Sequence, residues 1–387
     1  MKKDLTKKND VKETMKIHSR AKVDFYGRYL ERYLEILNLV DFIHKINIYD
    51  VFCGMGIYKD GHKGSPIVAF DIIKNIYEKS KKKKVHLVVN DSDIDRVNNV
   101  RKYIISHNSP TNCCDVSYYN KDAYEMLDII KTSVAKSAAD TRNLVFIDPY
   151  GYKEINKEII DNLMENRKTE IILFLPISHM YRFTQYAVKN NERSQLKPLY
   201  EFIKNFFPTN HPIVKDAEIT IMDYINYIQE ALCFNGKYYS TSYHIERSKN
   251  SYFALFFISA NLLGYEKILE AKWKLDTEDG NGFDLPKPLG LFDDQEKVAN
   301  KIAMYEKLKK LLLEYLKEPH TNVDIYLFTL KNEFLPKHAV HVLKDLQNNG
   351  TISVESLLEN KKYKKGAFYL SYKKYKETPC IIIRRIK

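Results

Sequence analysis

The feature that most constrains this chain is the regular alternation of short apolar runs with amphipathic stretches through its N-terminal part. Ile46–Phe52, Val85–Asn90, Cys113–Tyr119, Leu144–Ile147 and Glu170–Leu175 read as strands bounded by polar or turn residues. Between them Ile67–Lys79, Ile94–Ser106 and Lys153–Asn166 carry apolar residues at helical spacing. Parallel neighbours need a long crossover, and a helical crossover must bury its own apolar stripe. The alternation therefore predicts an α/β fold with a mostly parallel sheet and helices on both faces. An amphipathic helix precedes the first strand, with Val23, Tyr26, Tyr29, Leu30, Tyr33, Leu34 and Leu37 on one side.

After the fifth strand, residues 178–235 exceed a simple crossover and read as a helical insertion. Two adjacent strands follow, Tyr238–Arg247 and Tyr252–Ala260, joined by Ser248-Lys249-Asn250. A terminal antiparallel hairpin on a parallel sheet resembles the class I methyltransferase form of the Rossmann sheet, and dehydrogenase-like and flavodoxin-like sheets lack it. A helix around Glu266–Leu275 leads into DTEDGNGFDLPKPLGLFDD, whose Gly, Pro and Asp density marks a linker. Beyond it come a long helix at Lys297–Leu316, a second capped by Thr321, and a third begun by Pro336 and ended by Gly350. The β-rich pieces Ile352–Val354, Ala367–Tyr372 and Cys380–Arg385 complete a winged-helix pattern. The expected organisation is a flexible tail 1–20, an α/β domain 21–275, a linker 276–295 and a winged-helix domain 296–387.

A chain of 387 residues has room for an α/β domain of about 250 residues and a module of about 90. Its 44% hydrophobic content excludes wholesale disorder. No apolar run approaches the roughly 20 residues that cross a bilayer, and MKKDLTKKNDVKETMK lacks a signal-peptide apolar region. The expectation is a soluble cytoplasmic protein without a membrane partner. The five cysteines, Cys53, Cys113, Cys114, Cys233 and Cys380, are scattered without C-x-x-C spacing. They predict reduced thiols and no metal site. The net charge of +12 invites a polyanion partner. A joint excess of Lys, Asn, Ile and Tyr, as an AT-rich genome would produce, accounts for part of that charge.

The candidate chemistry sits where strands end. The first strand runs into Asp50-Val51-Phe52-Cys53-Gly54-Met55-Gly56, a glycine turn that lets the backbone approach a ligand at the sheet's carboxyl edge. This D-x-F-x-G-x-G form suits S-adenosylmethionine, which has no pyrophosphate to seat, and puts Asp50, Phe52, Gly54 and Gly56 at the cofactor. Asp91, with Asp93 as alternative, stands where an acid grips ribose hydroxyls, although an acidic helix cap explains it as well. Asp122 follows the third strand at the adenine position or caps a helix. Gly64-Ser65-Pro66 places Ser65 as a helix cap with a possible ligand contact.

Phe146-Ile147-Asp148-Pro149-Tyr150-Gly151 ends the fourth strand. It is similar to the motif of enzymes that methylate exocyclic base amines, in its single-proline form like that of tRNA guanine-N2 methyltransferases. There the Asp and a following carbonyl accept from the amine and an aromatic ring stacks on the base. Those roles fall on Asp148, Pro149 and Tyr150 or Tyr152. Asp-Pro-x-Gly is also a plain turn former. His179 and Arg182 lie past the fifth strand where a phosphate would pass, and Lys22, one turn from His18 and together with Arg20, faces either a nucleic-acid backbone or solvent as a surface stripe. The run Lys81–Lys84 reads as a solvated helix end. In the winged helix, Lys337, His338, His341 and Lys344 populate the third helix and Lys361–Lys365 the wing, the elements that enter a groove and touch phosphates. Winged helices also dock proteins.

Together these residues resemble the three-Cys-motif partner (TcmP) family. The resemblance rests on Lys22 with Tyr29-Leu30, Asp50–Gly56, Gly64-Ser65-Pro66, Phe146–Gly151, Tyr252-Phe253, Gly264 and Trp273, over roughly residues 16–350. It implies a methyltransferase-like protein that accompanies a separate three-Cys-motif, radical-SAM-like protein. Three functions follow in order of expectation. The first is methyl transfer from S-adenosylmethionine to a base amine of RNA or DNA. The second is a non-catalytic scaffold of methyltransferase-like fold working with that partner, in phage defence or nucleic-acid modification. The third is a hydrolase or nuclease, ranked last because no paired-carboxylate metal motif occurs.

Overall fold

The computed structural model describes residues 14–80, 83, 85–108, 113–190, 192–215, 218–285, 293–358 and 363–386, with only the backbone of 293–297. Most of the expected tail, Lys81, Lys82, Lys84, the centre of the linker, Lys361 and Lys362 lie outside the described residues. The chain divides into two units, one of residues up to Asn261 with Phe283–Leu285, the other of Leu262–Gly282 with Pro286 onward.

In the first unit, α1 (Ile17–Leu39) is followed by β1 (Lys45–Asp50), α2 (Ser65–Ser80), β2 (Val85–Asn90), α3 (Ile94–Asn108), β3 (Cys114–Tyr119) and α4 (Ala123–Ala135). Then come β4 (Thr141–Ile147), α5 (Lys157–Met164), β5 (Thr169–Leu175), an insertion of α6 (Ile177–Lys189), α7 (Lys197–Phe206) and α8 (Ile221–Leu232), and the hairpin β6 (Tyr239–Ser248) and β7 (Ser251–Ser259). The strand order is β3-β2-β1-β4-β5-β7-β6, with a two-residue strand β8 (Gly282–Phe283) outside β6. β1 to β5 are parallel, and β7 runs antiparallel between β5 and β6. This is the sheet of class I methyltransferases, with the terminal hairpin where the sequence places it.

β5 is buried along its whole length, as a strand covered on both faces must be. The reversal of strand order between β1 and β4 opens a crevice at their carboxyl ends, the place where open α/β sheets take ligands. Over this sheet α1 lays a row of tyrosines spaced one turn apart. Tyr26 stacks on Phe146 at 4.4 Å between ring centres, and Tyr29 meets Phe257 edge-on at 4.8 Å. Each buried ring of this size contributes roughly 2–3 kcal/mol by removing apolar surface from water. The Tyr29 hydroxyl donates to Glu170, whose other oxygen accepts from Ser259 Oγ at 2.7 Å. Burial still pushes Glu170 up to about 7 against those two bonds.

The second unit holds α9 (Leu262–Leu275), α10 (Asp293–Tyr315), β9 (His320–Thr321), α11 (Asn322–Lys331), α12 (Pro336–Asn348), β10 (Ile352–Ser356), α13 (Tyr372–Tyr375) and β11 (Ile381–Arg385). Three helices and an antiparallel sheet of order β10-β11-β9 make the winged helix. Thr321 caps α11 through a reciprocal capping box with Asp324, and Gly350, at φ +66°, follows α12. Two expectations need correction. Ala367–Tyr372 is not a strand: Tyr369 takes φ +53°, which breaks an extended run, and His320–Thr321 supplies the third strand instead. α9, expected with the α/β domain, belongs to the C-terminal unit. Trp273 packs 4.4 Å from His338 and donates to the Glu333 carbonyl at 2.9 Å. Lys272, almost fully buried, pairs with Glu333 at 2.6 Å.

Candidate active site

The glycine turn is held by backbone geometry. Beyond Asp50 the chain stays between its neighbours, Val51 N donating to Phe146 O at 3.1 Å and Cys53 N to Asn90 O at 2.8 Å. It leaves the sheet at Gly54, where φ is +61° and an added Cβ would meet nothing within 4 Å. Gly56 is bound by both limits, because its φ is +73° and a Cβ would stand 2.7 Å from Val100 Cγ2. Gly64 N donates to Gly56 O at 2.6 Å, and a Cβ on Gly64 would press on that oxygen at 3.1 Å. The D-x-F-x-G-x-G and G-S-P elements are thus two sides of one backbone clasp. Phe52 is half-buried against the core.

Asp50 is fully buried, and neither carboxylate oxygen completes a hydrogen bond. Burial pushes it up to about 7; the nearby Ser65 hydroxyl and Phe52 amide oppose this, while the charges of Asp148 and Asp91 add to it. The Tyr26 hydroxyl, also fully buried, has no partner, and its pKa is raised by burial and then by Asp50. α2 begins at Ser65 itself, two residues ahead of the expected Ile67, with Val68 N bonded to Gly64 O at 3.0 Å, so Ser65 is the first residue of the helix and sits beside Asp50. A buried anion and a hydroxyl without hydrogen bonds are costly unless a ligand completes them.

Asp148 Oδ2 is held by the Lys22 ammonium, which also lies 4.6 Å from the centre of the Phe174 ring. Lys22 therefore points inward to Asp148 and does not share a surface stripe with its neighbours; His18 stacks on Phe253 at 5.4 Å and Arg20 meets His62. Tyr150, after Pro149, is 73% exposed, with the Arg96 guanidinium 5.3 Å from its ring centre. Tyr152 is buried in the core beside Phe202, which corrects its expected stacking role.

Two of the acids also serve the scaffold. Asp91, 2% exposed, accepts from Gly54 N and Asp93 N, each at 3.0 Å, and has Arg96 at 3.6 Å. It fixes the glycine turn, and Asp93 is the exposed acid at that edge. Asp122 caps α4, accepting from Glu125 N at 3.0 Å. His179 lies 5.9 Å from Tyr152 at the start of α6, and burial followed by Arg182 lowers its pKa. In the second unit Lys337, His341 and Lys344 share the exposed face of α12. His338 is buried, and burial, then Lys337, pushes it down to about 4. Tyr26, Phe174 and Arg96 escaped sequence reasoning. Tyr26 alone carried a signal, one helical turn from Lys22 on the same face.

Residues 276–357 match the GMT-like wHTH domain family. No curated protein matches the chain. Among solved structures it is similar to the O-methyltransferase TomG from Streptomyces achromogenes in complex with SAM, at 10% identity over 60% of this chain and 79% of that one, with a TM-score of 0.33. It is similar to an O-methyltransferase from Bacillus cereus in complex with SAH, at 12% identity over 60% and 80%, with a TM-score of 0.32. For human methyltransferase-like protein 13 in complex with SAH the values are 10%, 75%, 92% and 0.31. Likenesses this distant carry nothing about chemistry, and the fold rests on the strand order. No helix among the described residues is long and apolar enough to cross a membrane.

Proposed function

We propose that the protein transfers a methyl group from S-adenosylmethionine to an exocyclic amine of a nucleic-acid base. The observation that carries this reading is the buried Asp50 carboxylate without hydrogen bonds, beside a turn that has open space over Gly54. These residues fit the cofactor, whose amino group would complete Asp50 and the Tyr26 hydroxyl, with Phe52, Gly54 and Gly56 lining the approach and Asp93 near the ribose. When bound, the cofactor supplies an electrophilic methyl on a sulfonium.

Asp148 Oδ1, left open by the Lys22 pair, and the Pro149 carbonyl accept the N–H groups of the amine and turn its lone pair toward the methyl. Asp148 would hold the amine in that orientation and let its proton pass on to water. Tyr150 stacks on the base. The α12 face with Lys337, His341 and Lys344 adds phosphate contacts. Radiolabelled methyl donor with RNA and DNA pools tests this. Transfer that Asp148→Ala abolishes while cofactor binding persists supports it, and equal transfer by the variant contradicts it.

The ion pair of Lys22 on Asp148 favours a second reading. In it the chain is a methyltransferase-like partner of a three-Cys-motif, radical-SAM-like protein, and the carboxylate opens only in that complex. Transfer seen with the partner and absent without it would distinguish the two.

A further inference from the structure

We propose that the carboxyl edge of the sheet is a crest for single-stranded nucleic acid, with Tyr124 as a stacking platform beside the target site. This rests on the methyl-transfer reading and names the form of its substrate. Tyr124 opens α4 directly after β3, is 49% exposed, and donates from its hydroxyl to the Lys153 carbonyl at 2.8 Å. Lys153 lies in the loop after β4, three residues past Tyr150. The exposed ring of Tyr150 carries the Arg96 guanidinium from the first turn of α3. Tyr152 links that loop to His179 on α6, one turn before the exposed Arg182. Contacts between neighbouring loops thus join the ends of β2, β3, β4 and β5 into one rim, with two exposed rings and cations between them.

Two rings standing out from a rim fit bases whose faces are open, and a duplex hides those faces. Charge alone does not explain the rim. Lys153 pairs with Glu154 at 3.3 Å and Lys121 with Glu125, so acids offset much of the phosphate attraction. Stacking must then supply most of the affinity, and binding should weaken only gently with salt.

The test is fluorescence anisotropy of the full chain with a labelled single-stranded RNA, the same sequence as single-stranded DNA, and its duplex. At least one single strand is expected to bind about tenfold more tightly than the duplex, and Tyr124→Ala to remove about tenfold of that affinity. Tyr124→Phe keeps the ring and should bind as wild type. Duplex binding as tight as both single strands, or an unchanged Tyr124→Ala, overturns the proposal. So does loss of the single-strand preference in Lys337→Ala/Lys344→Ala, which would move it to the winged helix. The assay contains no methyl donor, so the rim is judged whether or not transfer chemistry is found.

Discussion

The two units differ in how completely their buried polar groups are paired. In the winged-helix unit they are paired: Lys272 with Glu333, the Tyr326 hydroxyl with Glu266, and Trp273 Nε1 with the Glu333 carbonyl. In the α/β unit Asp50 and the Tyr26 hydroxyl are fully buried and lack hydrogen bonds. All the buried side-chain atoms without partners among the described residues fall in that unit. The fold offers no account of those on Tyr33, Asn47, Gln185 and Ser240, and His62 Nδ1 lies 3.1 Å from the Asp60 carboxylate. Asp50 and Tyr26 differ because they interact with each other and sit at the switch point. A satisfied buried network specifies structure, while an unsatisfied pair at a sheet's carboxyl edge is where a ligand would stabilise the fold.

The comparison breaks most visibly at Asp148. Asp148→Ala should lower methyl transfer by about a thousandfold, the range for removing one well-placed polar group from a reacting centre. Next comes Glu333→Ala, which leaves Lys272 buried beside no carboxylate. It should cost the winged-helix unit about 3 kcal/mol in denaturant unfolding and leave cofactor affinity alone.

Asp50→Asn should move both quantities in opposite directions. An aspartate ionises near 3.8 when unperturbed and this one near 7. Between those values the folded state holds a proton that the unfolded state has lost, so stability falls as pH rises through that window. The variant should flatten that fall and be more stable above pH 7, on the order of 2 kcal/mol. Glu170, also raised to about 7, keeps part of the slope. The same change should weaken cofactor binding about tenfold by removing a charge-assisted bond. The smallest effect belongs to Lys337→Ala/Lys344→Ala. Stability should stay within about 0.5 kcal/mol, while the salt slope of nucleic-acid binding drops by about one for each phosphate that is no longer neutralised. A stability change larger than that would make those lysines structural.

Much of this was legible along the chain because the strands and their terminal turns are local signals. Val85–Asn90 lies where its β-branched run puts it, and the hairpin turn at Lys249-Asn250 sits between two alternating segments. The residues at the ends of β1 and β4 could be named for the same reason. What stayed hidden depends on distant partners. The Lys22–Asp148 pair spans 126 positions, and no periodicity records that a lysine on a helix face points inward. Asp91 and Asp122 carry side chains suited to a ligand, and their bonds to the backbone amides of Gly54 and Glu125 have no signature in the sequence. Tyr152 differs from Tyr150 by two residues, and the chain's turn puts one into the core. Trp273 and Lys272 look like the end of an α/β domain until Glu333 and His338 claim them.

The central claim is that the Asp50–Gly54 crevice holds S-adenosylmethionine, and calorimetric titration of the purified chain with that molecule tests it most directly. Gly54→Arg, which extends a side chain into the open space over the turn, serves as the blocked control. Saturable binding that is lost in Gly54→Arg is the predicted result. No heat of binding at millimolar ligand, or equal binding by the blocked variant, would contradict the account.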